Sequence, residues 1–206
     1  MTLTESIPEH EYGFHFMSGR LCLDLVATVG ERWRRSFERL RTPTDLARWL
    51  VEAGVLEGAP KVTEAELVRA RELREAIYRT AKLAGSRAPA AADVTEINRW
   101  AIEPTLAPQL TADGRSVAWF GHRPAQAALA TIARDAIELV SGPFAARVRE
   151  CERPDCALLF VDTSRPGRRR WCSMTACGNR TKTAAYRRRQ DLAGRAEEGR
   201  RAVPQA

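Results

Sequence analysis

The chain has 206 residues, 44% of them hydrophobic and 29% charged, and carries a formal net charge of +7. That balance fits a soluble globular protein and excludes a disordered chain, while no run approaches the roughly 18 apolar residues that a membrane helix requires. The charge is uneven: residues 1–150 hold 20 Lys and Arg against 20 Asp and Glu, whereas residues 151–206 hold 13 against 6.

The first residues, Met1 to Glu11, are polar and acidic. They lack the basic and apolar regions of a secretory signal, so a cytoplasmic location is expected. Phe14-His15-Phe16 and Gly19 predict a short extended entry, and Leu21–Val29 a helix. Thr42-Pro43-Thr44-Asp45 is a helix start, with a capping residue, proline at the first position and a carboxylate at the third. Leu46, Trp49, Leu50 and Ala53 then share one face until Gly54. Thr63 and Glu66 make a capping box, followed by a helical stripe of Leu67, Ala70, Leu73, Ile77, Ala81 and Ala84 that ends at Gly85. A further helix covers Ala91–Ile102, with Ile97 and Trp100 inward and Pro104 as its stop. Leu106–Thr111 and Ser116–Phe120 flank the turn Ala112-Asp113-Gly114 and predict a hairpin. Gln126–Val140 repeats Leu129, Ile132, Ala133, Ala136 and Leu139 at helical spacing before Ser141-Gly142-Pro143 breaks it.

Five cysteines divide by position. Cys22 lies in the apolar run Leu21–Val26 and reads as a small buried hydrophobe. The other four form Cys151-x4-Cys156, fifteen residues, then Cys172-x4-Cys177. Two close pairs at this interval match a four-thiolate structural zinc site, in a segment too small to be stable on its own core. Unrelated cysteines and an iron–sulfur cluster, which is also held by four thiolates, are the competing readings. Catalytic zinc is disfavoured because His10, His15 and His122 all lie outside the module. Between the pairs, Ala157–Asp162 predicts a strand, Thr163–Gly167 a turn and Arg168–Cys172 the return strand. Phe160 and Trp171 supply apolar cover, and a helix follows over Thr181–Leu192, placing Cys177 near its N-terminus.

The segments Cys156-Ala-Leu-Leu-Phe160-Val-Asp162-Thr-Ser, Arg169-Arg-Trp-Cys-Ser-Met174 and Cys177-Gly-Asn-Arg180-Thr-Lys182 closely resemble the CGNR-type zinc finger family. In that family the finger follows a helical ABATE domain, associated with stress-induced transcription regulation. Gly19-Arg-Leu-Cys-Leu-Asp24-Leu-Val-Ala-Thr28 resembles its opening motif, except that Ala27 replaces the family's usual Asn. The resemblance implies DNA binding and transcriptional regulation.

The fold class expected is α+β: a mostly helical N-terminal domain with one β-hairpin, then a small zinc-binding module of a β-hairpin plus helix. The predicted division is 1–143 for an ABATE-like regulatory domain, 144–195 for the finger, with Phe144–Glu150 as connector, and 196–206 for a disordered tail. No acidic residue falls between Asp162 and Asp191, where Arg165, Arg168, Arg169, Arg170, Arg180, Lys182, Arg187, Arg188 and Arg189 supply nine cations. All of these except Arg165 are the candidate nucleic-acid contacts, because such a face suits phosphates. An acidic protein or RNA bound by an adaptor is the alternative. Gly178 and Asn179 are expected to brace the zinc loop. Arg20, Asp24 and Thr28 are a candidate effector site, against the plainer reading of Asp24 as a capped or surface residue. The expected partners are DNA, a small-molecule effector and a second copy of the chain, with no membrane. No phosphate-loop, serine-elbow or paired-carboxylate pattern points to an enzyme.

Overall fold

A computed structural model describes residues 7–183, 187 and 190. The tail expected at 196–206 lies outside the described residues. Five helices carry the N-terminal part: α1 (Leu21–Val26), α2 (Pro43–Glu52), α3 (Glu64–Leu83), α4 (Ala91–Ala101) and α5 (Pro124–Ser141). Three two-stranded antiparallel sheets join β1 (Val29–Gly30) to β2 (Phe37–Glu38), β3 (Ala107–Leu110) to β4 (Val117–Phe120), and β5 (Val148–Glu150) to β6 (Leu159–Val161). Among the described residues, no helix is long and apolar enough to cross a membrane.

The helix starts follow their capping chemistry. Thr42 accepts from the Asp45 amide while the Asp45 carboxylate accepts from the Thr42 amide at 2.9 Å, and Thr63 and Glu66 repeat the arrangement. Each box satisfies two amides that the first turn of a helix otherwise leaves open. Gly54 and Gly85 end α2 and α3 with φ of 70° and 72°, in the left-handed region that glycine enters without steric cost.

Helix α3 is the hub, packed against α1, α2, α4 and α5. Its stripe Leu67, Ala70, Leu73, Ile77 and Ala81 and the α5 stripe Leu129, Ile132, Ala133, Ala136 and Leu139 are all buried, with Trp49 and Trp100 closing the layer. The expected β3–β4 hairpin forms with Ala107 opposite Phe120 and Leu110 opposite Val117.

Two local expectations need correction. Helix α1 stops at Val26, short of Val29. The Thr28 hydroxyl donates to the Leu25 carbonyl at 2.7 Å, and Val29 enters a strand opposite Glu38. The β1–β2 hairpin was not legible because a charged loop with left-handed backbone at Glu31 and Ser36 interrupts the strand pattern.

The zinc-module hairpin also uses a different partner. Residues 168–172 form no strand; β6 pairs instead with β5, in the segment read as a connector. The Asp162 carboxylate accepts from the amides of Ser164 (3.0 Å) and Arg169 (2.8 Å). Those bonds curl the chain out of the ladder, and 168–172 returns one backbone bond, Glu152 N to Arg170 O at 2.9 Å. Alternation along β6 then serves two cores. Leu159 and Val161 join the helical core, while Phe160 faces the cysteine cluster with Leu158.

Candidate metal centre

Each cysteine is positioned by backbone rather than by a large core. Cys151 follows β5, and its amide extends the ladder to the Leu158 carbonyl at 2.9 Å. Cys156 closes a tight turn, its amide donating to Arg153 O at 3.0 Å, and Ala157 takes a φ of 56° to redirect the chain into β6. Cys177 sits in a wide helical turn, Met174–Gly178, capped by Ser173, whose hydroxyl accepts from the Ala176 amide at 3.2 Å. Residues 179–183 continue as helix, so the helix begins earlier than Thr181. Cys177 therefore lies in the first turn, where open amides favour a thiolate.

The four sulfurs lie within 4.8 Å of one another. The separations Cys172–Cys177, Cys177–Cys156 and Cys156–Cys172 are 3.5, 3.7 and 3.8 Å. A tetrahedron with zinc–sulfur bonds of about 2.3 Å has edges of about 3.8 Å, so the cage matches the ion's size; all four are free cysteines. Hydrogen bonds from the Cys156, Cys172 and Cys177 thiols hold Cys151 far below the ordinary thiol range, while bonding within the cluster pushes Cys156 and Cys172 up. Thiols this close share protons, and a divalent cation takes the protons' place with release to solvent. Four sulfur ligands close the coordination sphere, which is the structural arrangement. The cofactor is structural zinc, held by Cys151, Cys156, Cys172 and Cys177.

Cover comes from Phe160, which is fully buried, with Leu158, Ala27 and the half-buried Trp171. Gly178 packs closely under Met174, where a Cβ would come within 2.8 Å of Sδ. Asn179 follows the wide turn, its backbone amide donating to the Met174 carbonyl.

The candidate nucleic-acid residues separate by environment. Arg168, Arg180, Lys182 and Arg187 are exposed. Arg169 is drawn inward, its guanidinium donating to the Cys172 carbonyl at 2.6 Å and lying over the Phe160 ring. Arg170 pairs with Glu152 at 2.6 Å. Arg188 and Arg189 lie outside the described residues.

The candidate effector residues are each occupied by a different structural partner. Arg20 bridges to Asp135 (2.8 Å) and Glu138 on α5. Asp24 accepts from the Ser18 amide (3.1 Å) and hydroxyl (2.6 Å), capping the turn before α1. Thr28 accepts from Arg74 at 3.0 Å. Cys22 is buried, and burial pushes its thiol pKa up.

A cavity of about 450 Å³, which no sequence signal announced, lies between the β1–β2 hairpin and the first cysteine pair. Its arginines are 114 or more positions apart across the two parts, Arg34, Arg35 and Arg39 from one and Arg153 and Arg180 from the other. Only folding brings them together.

Helices around α3, joined through a shared strand to a four-thiolate module with a basic outer face, define a helical domain that carries a structural zinc finger. Residues 19–143 match the ABATE family, described as "Putative stress-induced transcription regulator", and residues 147–190 match the CGNR zinc finger. The first match spans more than half of the sequence: the chain belongs to the ABATE family and carries a CGNR zinc finger. No curated protein matches the chain.

Proposed function

We propose that this protein is a cytoplasmic, non-enzymatic transcription regulator that binds DNA through the basic face of its zinc module, with the helical domain sensing a ligand or dimerising. The observation that carries the reading is the concentration of the whole positive excess in the zinc segment, with Arg168, Arg180, Lys182 and Arg187 open to solvent beside a rigid metal-held turn. Exposed guanidinium and ammonium groups on a helix and adjoining loop suit phosphate contact, and a helix fits the major groove. Zinc acts as scaffold. It fixes the helix that begins at Met174 and carries Cys177 against the β5–β6 hairpin.

A filter-binding titration of zinc-loaded protein against duplex DNA tests the reading. If about five cations meet phosphates, log K falls against log salt with a slope near −4.5. Replacing Arg187, Arg188 and Arg189 together by Ala is expected to weaken binding while zinc content stays full. Absence of duplex affinity at low salt would overturn DNA binding and favour an acidic protein or RNA as the partner of this face.

A further inference from the structure

The cavity between the two parts is lined by five arginines whose commitments differ: Arg34, Arg35, Arg39, Arg153 and Arg180. Arg35 pairs with both Glu11 and Glu31, and Arg34 reaches Glu31 at 3.7 Å. Arg153 holds Asp155 at 2.6 Å and faces the Cys156 and Cys177 sulfurs. It is thus a counter-charge for a zinc centre whose thiolates and ion sum to about −2.

Arg39 stands apart. It is 5% exposed. Nε donates to the carbonyls of Glu11 (3.0 Å) and Gly13 (2.9 Å), Nη1 donates to Ala27 O (3.1 Å), and Nη2 meets His15 Nε2 at 3.2 Å. A guanidinium only donates, so His15 Nε2 accepts and the neutral ring carries its proton on Nδ1. Partial burial and the charges of Arg39 and Arg153 hold the His15 pKa below its ordinary value, consistent with that neutral ring. Of the five N–H donors on a guanidinium, two on Arg39 have no acceptor among the described residues, and no carboxylate pairs with it. Glu11, Glu31, Glu38 and the Cys156 sulfur act on it only through space, so this buried cation lacks the directly bonded anion that best offsets its desolvation. Arg180, exposed on the helix behind Cys177, likewise has no ion pair among the described residues.

The backbone around this cavity is also under strain. Among the described residues, the non-glycine positions with positive φ, Glu31 (44°), Ser36 (45°) and Ala157 (56°), either line it or sit between residues that do. Such conformations cost about 1–3 kcal/mol each and cluster where a surrounding structure imposes them for a purpose. At Gly30, a Cβ would come within 2.3 Å of the Phe37 ring and 2.7 Å of Arg39 Nη1.

We propose that this cavity binds a phosphate group between Arg39 of the N-terminal part and Arg180 of the zinc module. The tetrahedral oxyanion offers several acceptors to guanidinium groups that line one cavity, and Phe37 and Leu158 give an apolar wall for the remainder of a small ligand. A phosphate held there ties the finger's helix to the hairpin of the regulatory domain; this consequence rests on the regulator reading above, whereas the binding itself does not. The phosphate has two available sources, a free small molecule or the backbone of bound DNA.

Isothermal titration of the zinc-loaded full chain with pyrophosphate tests the site, with and without a short duplex. Wild type is expected to bind, and Arg180→Ala and Arg39→Lys to bind roughly tenfold to a hundredfold more weakly, with Arg115→Ala on the distant β3–β4 turn unchanged. Zinc content and circular dichroism show whether Arg39→Lys folds; the exposed Arg180→Ala carries the test if it does not. No heat at millimolar pyrophosphate, or equal affinity in Arg180→Ala, would overturn the proposal. Pyrophosphate that remains bound alongside the duplex assigns the cavity to a free phosphate, and competitive displacement assigns it to the DNA backbone. A chain that binds pyrophosphate but no duplex keeps the cavity and loses the DNA reading, so the two failures are separable.

Discussion

The helical domain and the zinc module are both buried, but by different physics. In the first, Leu73, Ile77, Leu129, Ile132 and their neighbours are closed to solvent, each contributing about 1.5–3 kcal/mol by leaving water. In the second, Phe160 is the one large side chain fully closed, and the other buried members of its cluster are Leu158, Ala27 and three cysteines. That cluster is too small to order the loops around it. A structural zinc ion contributes about 10–16 kcal/mol of folding free energy in small modules, and here it takes the role of a core. The two parts are nonetheless not independent, because Leu159 and Val161 leave the zinc hairpin to complete the helical core, and Val161 N donates to Ser18 O at 2.8 Å.

The largest expected effect breaks the metal side. Cys172→Ser is expected to abolish stoichiometric zinc in mass spectrometry of the native protein and to unfold the module. Helical circular dichroism should persist, since α1 to α5 keep their mutual packing. Its melting temperature should nevertheless fall, because β6 no longer caps the core. Full zinc occupancy in this variant would refute the ligand set. An unchanged melting temperature would show that the shared strand contributes nothing to the helical part.

How much of this contrast was legible beforehand follows from the range of each signal. The caps at Thr42 and Thr63, the stripes of α3 and α5, and the Cys151–Cys177 spacing are local patterns, and the structure reproduces them. The partner of β6 was not legible. Arg168–Cys172 and Val148–Glu150 are both short and charged, and the choice depends on Asp162 bonding the amides of Ser164 and Arg169. Likewise the cavity arginines carry no spacing signal, because Arg39 and Arg180 line one cavity only in the folded chain. The partners of Arg20, Asp24 and Thr28, which are Asp135, Ser18 and Arg74, were equally illegible, because Asp135 and Arg74 lie far away in the sequence.

On the apolar side, Leu73→Ala is expected to cost about 2–5 kcal/mol by leaving a cavity at a site with no exposure. Chelator competition should find its zinc affinity unchanged. Leu159→Ala tests the strand shared by both. A similar loss of up to about 2–4 kcal/mol is expected, and here zinc affinity should fall as well, since the strand also holds Phe160 over the sulfurs. Equal zinc affinity in Leu73→Ala and Leu159→Ala would show that the two cores do not communicate. Thr63→Ala should cost only about 1 kcal/mol, the usual loss of a capping hydroxyl, read as a small shift in the thermal midpoint with zinc unaffected.

The smallest and most selective effect concerns Asp162. Burial raises its pKa, but hydrogen bonds from Ser164 and from the Arg169 amide outweigh burial and hold it below the ordinary aspartate value. A carboxylate with a depressed folded-state pKa adds stability that is present above the unfolded pKa and lost as pH falls through the folded one. Asp162→Asn should therefore be less stable than wild type at neutral pH, and the gap should close below about pH 4. Zinc leaves its thiolates on acidification as well, so the comparison is made in cobalt-loaded protein, where the metal-to-ligand absorption reports occupancy separately from the melting curve. If the carboxylate acts only by turning the chain after β6, metal affinity at neutral pH should fall together with stability, because Cys172 is then no longer delivered to the cage. A stability gap that persists at acid pH would mean that the two amide bonds matter through geometry, which the Asn carbonyl partly reproduces, and not through charge.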